Sequence, residues 1–252
     1  MTEASSEAPA SGSVTDYVYD RILAELVTVR ILPGERMTVD ALARSLKVSQ
    51  TPIRGALGRL EADGLVSKTH LRGYRATPML TPREFAEMYE LRLLLEPPTA
   101  RRAARVHTEE HLREIRRTNE QLIEVHGQFE DPSQHSQFAV LDAKLHDLVA
   151  EASGNAIIRT SLARVRPHLH IYRLRRIETV VADAIDEHAR LIDALTRRDG
   201  NMAAAAMKSH IERSYDRVLK YLGETPPPLD LDLTARSLET FTQLSAPMET
   251  AS

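Results

Sequence analysis

Between Met37 and Thr77 the order of local signals leaves the chain little freedom: a short amphipathic segment, a capped second one, a tight turn and a basic hairpin follow without a break. Leu42, Leu46 and Val48 give the first segment an apolar side, while Ile53, Leu57, Leu60 and Leu65 recur at roughly helical spacing along the second. Ser49 is a natural N-cap, and Pro52 falls where a starting helix does not need the missing N–H. Asp63-Gly64 stops the second helix, and Leu65, Val66 and His70-Leu71-Arg72-Gly73-Tyr74-Arg75 then read as a wing with a basic tip. That order is the order of a winged helix-turn-helix.

From Arg36 to Ala76 eight Lys or Arg stand against three Asp or Glu, a local charge of +5 in a chain of formal charge −3. An isolated basic helix is more often just a solvated face. Here cap, turn and basic hairpin accompany the charge, which points to the phosphates of double-stranded DNA. Ser49, Gln50, Thr51 and Arg54, at the start of the second helix, are expected at base edges or nearby phosphates, with His70, Arg72 and Gly73 of the wing at the adjacent groove or backbone. One short recognition helix reads few bases, so a homodimer on a near-palindromic operator is expected.

The fold class expected for the chain is mainly α, with four regions: residues 1–12 disordered, 13–79 the winged helix-turn-helix with its small β-hairpin, 80–222 an antiparallel all-α bundle, and 223–252 an acidic, Pro-containing, mostly disordered tail. A first helix runs from about Ser13 to Val29, with Val14, Val18, Ile22 and Leu26 four apart and Leu32-Pro33-Gly34 ending it. The bundle spans are Pro82 to Arg105 with a break at Pro97-Pro98, Thr108 to Phe129, Ser133 to Ala152, Asn155 to Ile177, Ala182 to Arg198 and Asn201 to Leu222, about six helices. A weak further helix falls near Leu233 to Leu244. The chain has no Cys, no apolar N-terminal leader and no long apolar run, which fits a cytoplasmic protein that neither enters nor crosses a membrane.

Within the bundle, polar residues fall on apolar faces. Asp142 and His146 share the face of Phe138, Leu145 and Val149; His188 lies in the stripe of Ile185 and Ile192; His210 lies in the stripe of Ala203, Met207 and Val218. A single such His is usually hydrogen-bonded core, but one acid and three His converging in a bundle suit a divalent transition metal, zinc first, with nickel or manganese as alternatives. Arg92 and Glu96 are spaced for a partly buried ion pair on the side of Phe85 and Tyr89. His168 and His170 should point apart on a helix and are read as non-ligands, with His107, His111, His126 and His135 at the surface.

The head resembles the GntR superfamily of bacterial transcription regulators in Val48-Ser49, Thr51-Pro52-Ile53-Arg54, Leu57, Asp63-Gly64-Leu65-Val66 and Arg72-Gly73. It departs at Gln50, where the family often has Arg, and at Gly55, where it often has Glu and where Gly costs up to ~1 kcal/mol of helix propensity. The bundle resembles the FCD effector domain of the FadR subfamily in Asp142-Ala143-Lys144-Leu145-His146, Ser153-Gly154-Asn155, Glu187-His188 and His210. The resemblance covers residues 13 to 222 and implies metal ligation by Asp142, His146, His188 and His210. It also implies a small carboxylate effector bound by Arg92, with Asn155, Tyr172 and Arg173 as further cavity-wall candidates, and a ligand-responsive regulator, read as a repressor. Two other readings stay open: a metalloregulator sensing the metal itself, and a metal-dependent hydrolase with an accessory DNA-binding domain. The hydrolase lacks an HExxH motif, and Glu187 is expected to point away from the ligands.

Overall fold

The computed structural model describes residues 13–69, 73–127, 132–165, 167–173, 178–220, 222 and 229. The expected disordered N-terminus and the weak helix near Leu233 to Leu244 lie outside these residues.

Helix α1 (Val14–Val27) opens with a capping box in which Ser13 and Asp16 satisfy each other's backbone N–H groups. Val18, Ile22 and Leu26 are buried, as their spacing predicts. The helix ends before Leu32-Pro33-Gly34, because Val29 turns to a φ of 55° and its N–H goes to Leu26 O. Next come β1 (Arg36–Met37), α2 (Val39–Leu46), α3 (Gln50–Ala62), β2 (Val66–Thr69) and β3 (Gly73–Ala76). The hairpin read from sequence is thus part of a three-stranded antiparallel sheet of order β1-β3-β2, with Met37 opposite Tyr74 and Lys68 opposite Tyr74 from the other side. A two-residue strand carries no alternation, which is why β1 leaves no sequence signal.

Helix α1 seals α3 from outside. Ile53, Ala56, Leu57 and Leu60 of α3 are fully buried, and Tyr19 of α1 donates to Asp63 Oδ2 at 2.6 Å at the end of α3. Arg59 of α3 lies 4.1 Å above the Tyr19 ring and 2.5 Å from Asp16, so its charge is committed to α1. Gly55 faces the same side: a Cβ there would stand 3.0 Å from Thr15 Cγ2. The helix propensity lost at Gly55 is therefore exchanged for a close approach of two helices.

The second half contains α4 (Pro82–Val106), α5 (Glu109–His126), α6 (Pro132–Ala152), α7 (Ala156–Val165), α8 (Pro167–Tyr172), α9 (Glu178–Thr196) and α10 (Gly200–Leu219). Helix α4 packs along α10 and α6, α10 also along α9, and α5 along α6 and α9. One expectation is corrected. Helix α4 runs unbroken through Pro97 and Pro98, although the carbonyls of Leu93 and Leu94 lose their N–H donors there. Pro97 is buried, and packing on both sides of α4 holds the helix through the defect. The span read from Asn155 to Ile177 is represented by α7 and α8, on either side of residue 166, which lies outside the described residues.

Candidate metal centre and nucleic-acid interface

The exposed start of α3 presents Gln50, Thr51 and Arg54 outward, with Ser49 at the N-cap. Ser49 has cap backbone angles, yet its side chain makes no cap hydrogen bond. The first-turn N–H groups and the Ser49 hydroxyl are left facing solvent, the arrangement a phosphate oxygen can use. Gln50 donates from Nε2 to Asp40 Oδ1 of α2 at 2.6 Å and accepts from Arg54 at 3.4 Å, so the recognition side chains are ordered by one another. Lys47 makes the turn between α2 and α3 at a φ of 54°. His70 and Arg72 lie outside the described residues. Gly73 has a φ of +87°, and a Cβ there would stand 3.0 Å from Met37 O, so its place in the wing is one of backbone geometry. Arg54→Ala should weaken binding to an operator selected from random duplexes by about 10- to 100-fold. Undiminished binding in a gel shift would remove Arg54 from the interface.

Inside the bundle, five helices place polar side chains together. The side chains of His146 (α6), His188 (α9) and His210 (α10) each offer a nitrogen, all within 4.8 Å of one another, and all three are buried. Asp142, one turn before His146, brings Oδ1 to 3.3 Å from His188 Nε2. The four residues singled out in the sequence therefore converge. Around them stands a second ring: Glu96 Oε2 lies 2.6 Å from His146 Nδ1, Glu187 Oε2 2.9 Å from His210 Nδ1, and His168 Nδ1 3.0 Å from Asp142 Oδ2. Arg92 donates from Nε to Glu96 at 2.7 Å, and Arg217 grips Glu187 at 2.8 and 2.9 Å.

Asp142, His146 and His210 have their outer atoms occupied, whereas His188 has neither nitrogen occupied among the described residues. Asp142 Oδ1, His146 Nε2 and both nitrogens of His188 are buried without a hydrogen-bond partner among the described residues. Each such atom costs about 1–3 kcal/mol. A bound cation would satisfy them together, and ligand imidazoles with their far nitrogen on a carboxylate are the usual supported form of such a site. The electrostatics agree. Burial depresses His188 well below the usual imidazole range, with His210 adding to it, and burial depresses His210 as well, partly offset by Glu187. Burial would raise Asp142, but the hydrogen bond from His168 and the neighbouring imidazoles hold it well below the ordinary carboxylate range. Neutral imidazoles beside an ionised carboxylate are the protonation states a metal requires.

A cavity of about 50 Å³ opens beside this cluster, lined by Glu96, His146, Pro167, His168, Arg159 and Leu162. Arg159 is held at it by Asp147, at 2.9 and 2.7 Å, and by Glu151 at 2.7 Å. Arg92 is 1% exposed, and its second terminal nitrogen has no partner among the described residues. Of the other effector candidates, Tyr172 is buried with its ring 5.7 Å from Phe138. Asn155 caps α7, accepting from the Ile158 N–H at 3.1 Å, and none of Arg92, Tyr172 and Asn155 lines this cavity, contrary to expectation. Arg173 turns away to the segment after β3.

Three further sequence readings are corrected. His168 does diverge from His170, but it points inward, its Nδ1 3.0 Å from Asp142 Oδ2, and belongs to the cluster. Glu187 is buried against His210 and Arg217; its spacing from Ala184 and Leu191 was the overlooked signal. His107, expected at the surface, is 4% exposed, its ring set between the carbonyls of Thr108 and Leu195. Of the other three, His111 and His126 are half-buried, and the His135 side chain lies outside the described residues.

Residues 87–213 match the family described as FCD domain, and residues 14–75 match that described as bacterial regulatory proteins, gntR family. The chain is 26% identical over 212 residues to an uncharacterized HTH-type transcriptional regulator, YdhC, of Bacillus subtilis, covering 82% of this chain and 91% of that one. It is 28% identical over 211 residues to a probable D-xylose utilization operon transcriptional repressor of Paenarthrobacter nicotinovorans, covering 83% and 90%. The E. coli protein McbR/YncC has the same fold, with a TM-score of 0.64 over 83% of this chain and 99% of that one at 19% identity. These relatives are transcription regulators, which sets the hydrolase reading aside.

Proposed function

The chain belongs to the GntR family of bacterial transcription regulators, with an FCD domain as its second half, and on that premise we propose that it is a metal-loaded repressor released or engaged by a small carboxylate. The observation that carries this reading is the set of buried atoms without a hydrogen bond on Asp142, His146 and His188, converging where Glu96 holds the far nitrogen of His146 and His168 the far oxygen of Asp142. With His210 they form a donor set for one divalent ion, zinc first, with nickel or manganese able to substitute. The ion would supply a fixed positive charge and a docking point for an oxygen ligand.

Charge supports the acid. Arg92 and Arg217 stand against Glu96, Asp142 and Glu187 in the buried cluster, two guanidinium groups to three carboxylates, which is one negative charge in excess with the histidines left aside. A divalent ion reverses that excess to +1, which a monocarboxylate would neutralise. The unpartnered nitrogen of Arg92 is a donor suited to such a group. The cavity, by volume, takes only a few water-sized groups, which favours a small acid. Acting in the cytoplasm as a homodimer on a near-palindromic operator, the protein would change its DNA affinity as the acid favours one arrangement of bundle and heads. A second reading has the metal itself as the signal, favoured by the fact that the unpartnered atoms need only the ion.

Chelator-stripped protein titrated with zinc should take up one ion per chain, and His188→Ala should weaken uptake by about 100-fold or more. Operator binding is then measured with zinc alone and with small organic acids added. Sensitivity to an acid supports the first reading, and zinc control indifferent to acids supports the second. Wild-type protein that takes up no divalent ion overturns both.

A further inference from the structure

One helical segment joins the histidine cluster to the DNA-binding head. Its residues Pro167 and His168, in α8, line the cavity, and Arg173 directly follows Tyr172. At the cavity end, His168 Nδ1 lies 3.0 Å from Asp142 Oδ2. At the far end, the Arg173 guanidinium donates to Thr77 O at 2.6 Å, Thr77 Oγ1 at 3.1 Å and Pro78 O at 3.4 Å. Thr77 follows the last residue of β3, and its N–H and hydroxyl donate to Leu65 O at 2.9 and 3.1 Å. Leu65 follows the turn that ends α3, the helix carrying Gln50 and Arg54.

Two features make this more than a crossing of neighbouring segments. Arg173 is 2% exposed, and among the described residues its three hydrogen bonds all go to neutral oxygens of the linker, so a costly buried charge is directed at that linker. Helix α8 itself has Pro167, His168, Leu169, Ile171 and Tyr172 buried, and Tyr172 packs on Phe138 of α6, the helix that carries Asp142 and His146. Close packing along this stretch ties a displacement of His168 to Arg173, five residues on.

We propose that Arg173 is the positioning residue of the DNA-binding head, and that α8 is the element through which occupancy of the histidine cluster sets the placement of the linker at Thr77 and the end of α3. The proposal rests on reading the cluster as the regulatory site.

The test is amide hydrogen exchange on the full-length, chelator-stripped chain with and without zinc, comparing wild type, Arg173→Ala and His168→Ala. In wild type, zinc slows exchange in α6, α9 and α10 and also alters it at the Thr77 amide. In Arg173→Ala the bundle response persists, the Thr77 response is lost, and Thr77 exchanges about tenfold faster without metal, the loss of roughly one hydrogen bond's worth of protection. His168→Ala, without metal, also speeds exchange at Thr77. A Thr77 amide indifferent to His168→Ala, or a zinc response at Thr77 that survives Arg173→Ala, overturns the relay. If zinc leaves the wild-type bundle unchanged, the metal reading has failed, and the metal-free His168→Ala comparison alone decides the relay.

Discussion

Replacing Arg92 with alanine is expected to cost about 3–5 kcal/mol of folding stability, the loss typical of breaking a buried ion pair from one side. Arg92 and Glu96 are 1% and 4% exposed and lie one helical turn apart on α4, Nε to Oε1 at 2.7 Å. Burial alone would raise the Glu96 carboxyl, but Arg92 and then His146 hold it well below the ordinary range, so the folded protein carries it as an anion. Without Arg92 that anion retains, among the described residues, the His146 contact at 2.6 Å and is left buried without its guanidinium partner. The double variant Arg92→Met, Glu96→Gln should lose less than Arg92→Ala alone, because no uncompensated charge remains. Urea denaturation of the three proteins in chelator measures the difference. A single-variant loss under about 1 kcal/mol would mean that water reaches Glu96 and screens it as at a surface.

The same pair shows what a sequence can and cannot say about such a site. Helical spacing placed Arg92 beside Glu96, Asp142 beside His146, and His188 and His210 on apolar stripes, because an i, i+4 relation within one helix is a local property. It could not place His168, whose partner Asp142 lies on another helix, 26 positions away. Nor could it foresee that α4 continues through Pro97 and Pro98, because the packing of α10 and α6 along that helix outweighs the local penalty of proline and is not a local property. In the head, the apolar spacing of α1 and α3 was legible, but the reason for Gly55 was not, since Thr15 approaches it from another helix. The linker grip of Arg173 is equally non-local: it joins residues 96 positions apart.

Acid should unfold the metal-free protein from the neutral side, before the carboxylates titrate. Burial pushes the His168 imidazole from 6.5 down to about 4, with His146 and Arg92 adding to it and the contact with Asp142 opposing it. His170, two residues on in α8, is pushed to about 4 by burial and by Arg173. A histidine whose folded pKa is depressed binds fewer protons than its unfolded counterpart, so its contribution is intact above pH 6.5, falls as pH drops from 6.5 toward 4, and is fully lost below that. For His168 the loss at pH 4 is about 3 kcal/mol, a large share of the roughly 5–15 kcal/mol that holds a domain together. Glu96 and Asp142, both depressed, take away further stability only below about pH 4.5, where their unfolded counterparts begin to bind protons. Chemical denaturation at intervals from pH 7.5 to 4 in chelator should therefore show stability falling below pH 6.5. His170→Gln should flatten that fall, since glutamine has no proton to take up in the unfolded chain. A profile that stays level down to pH 4.5 and then drops would assign the acid sensitivity to the carboxylates alone and leave the α8 imidazoles without a part in it.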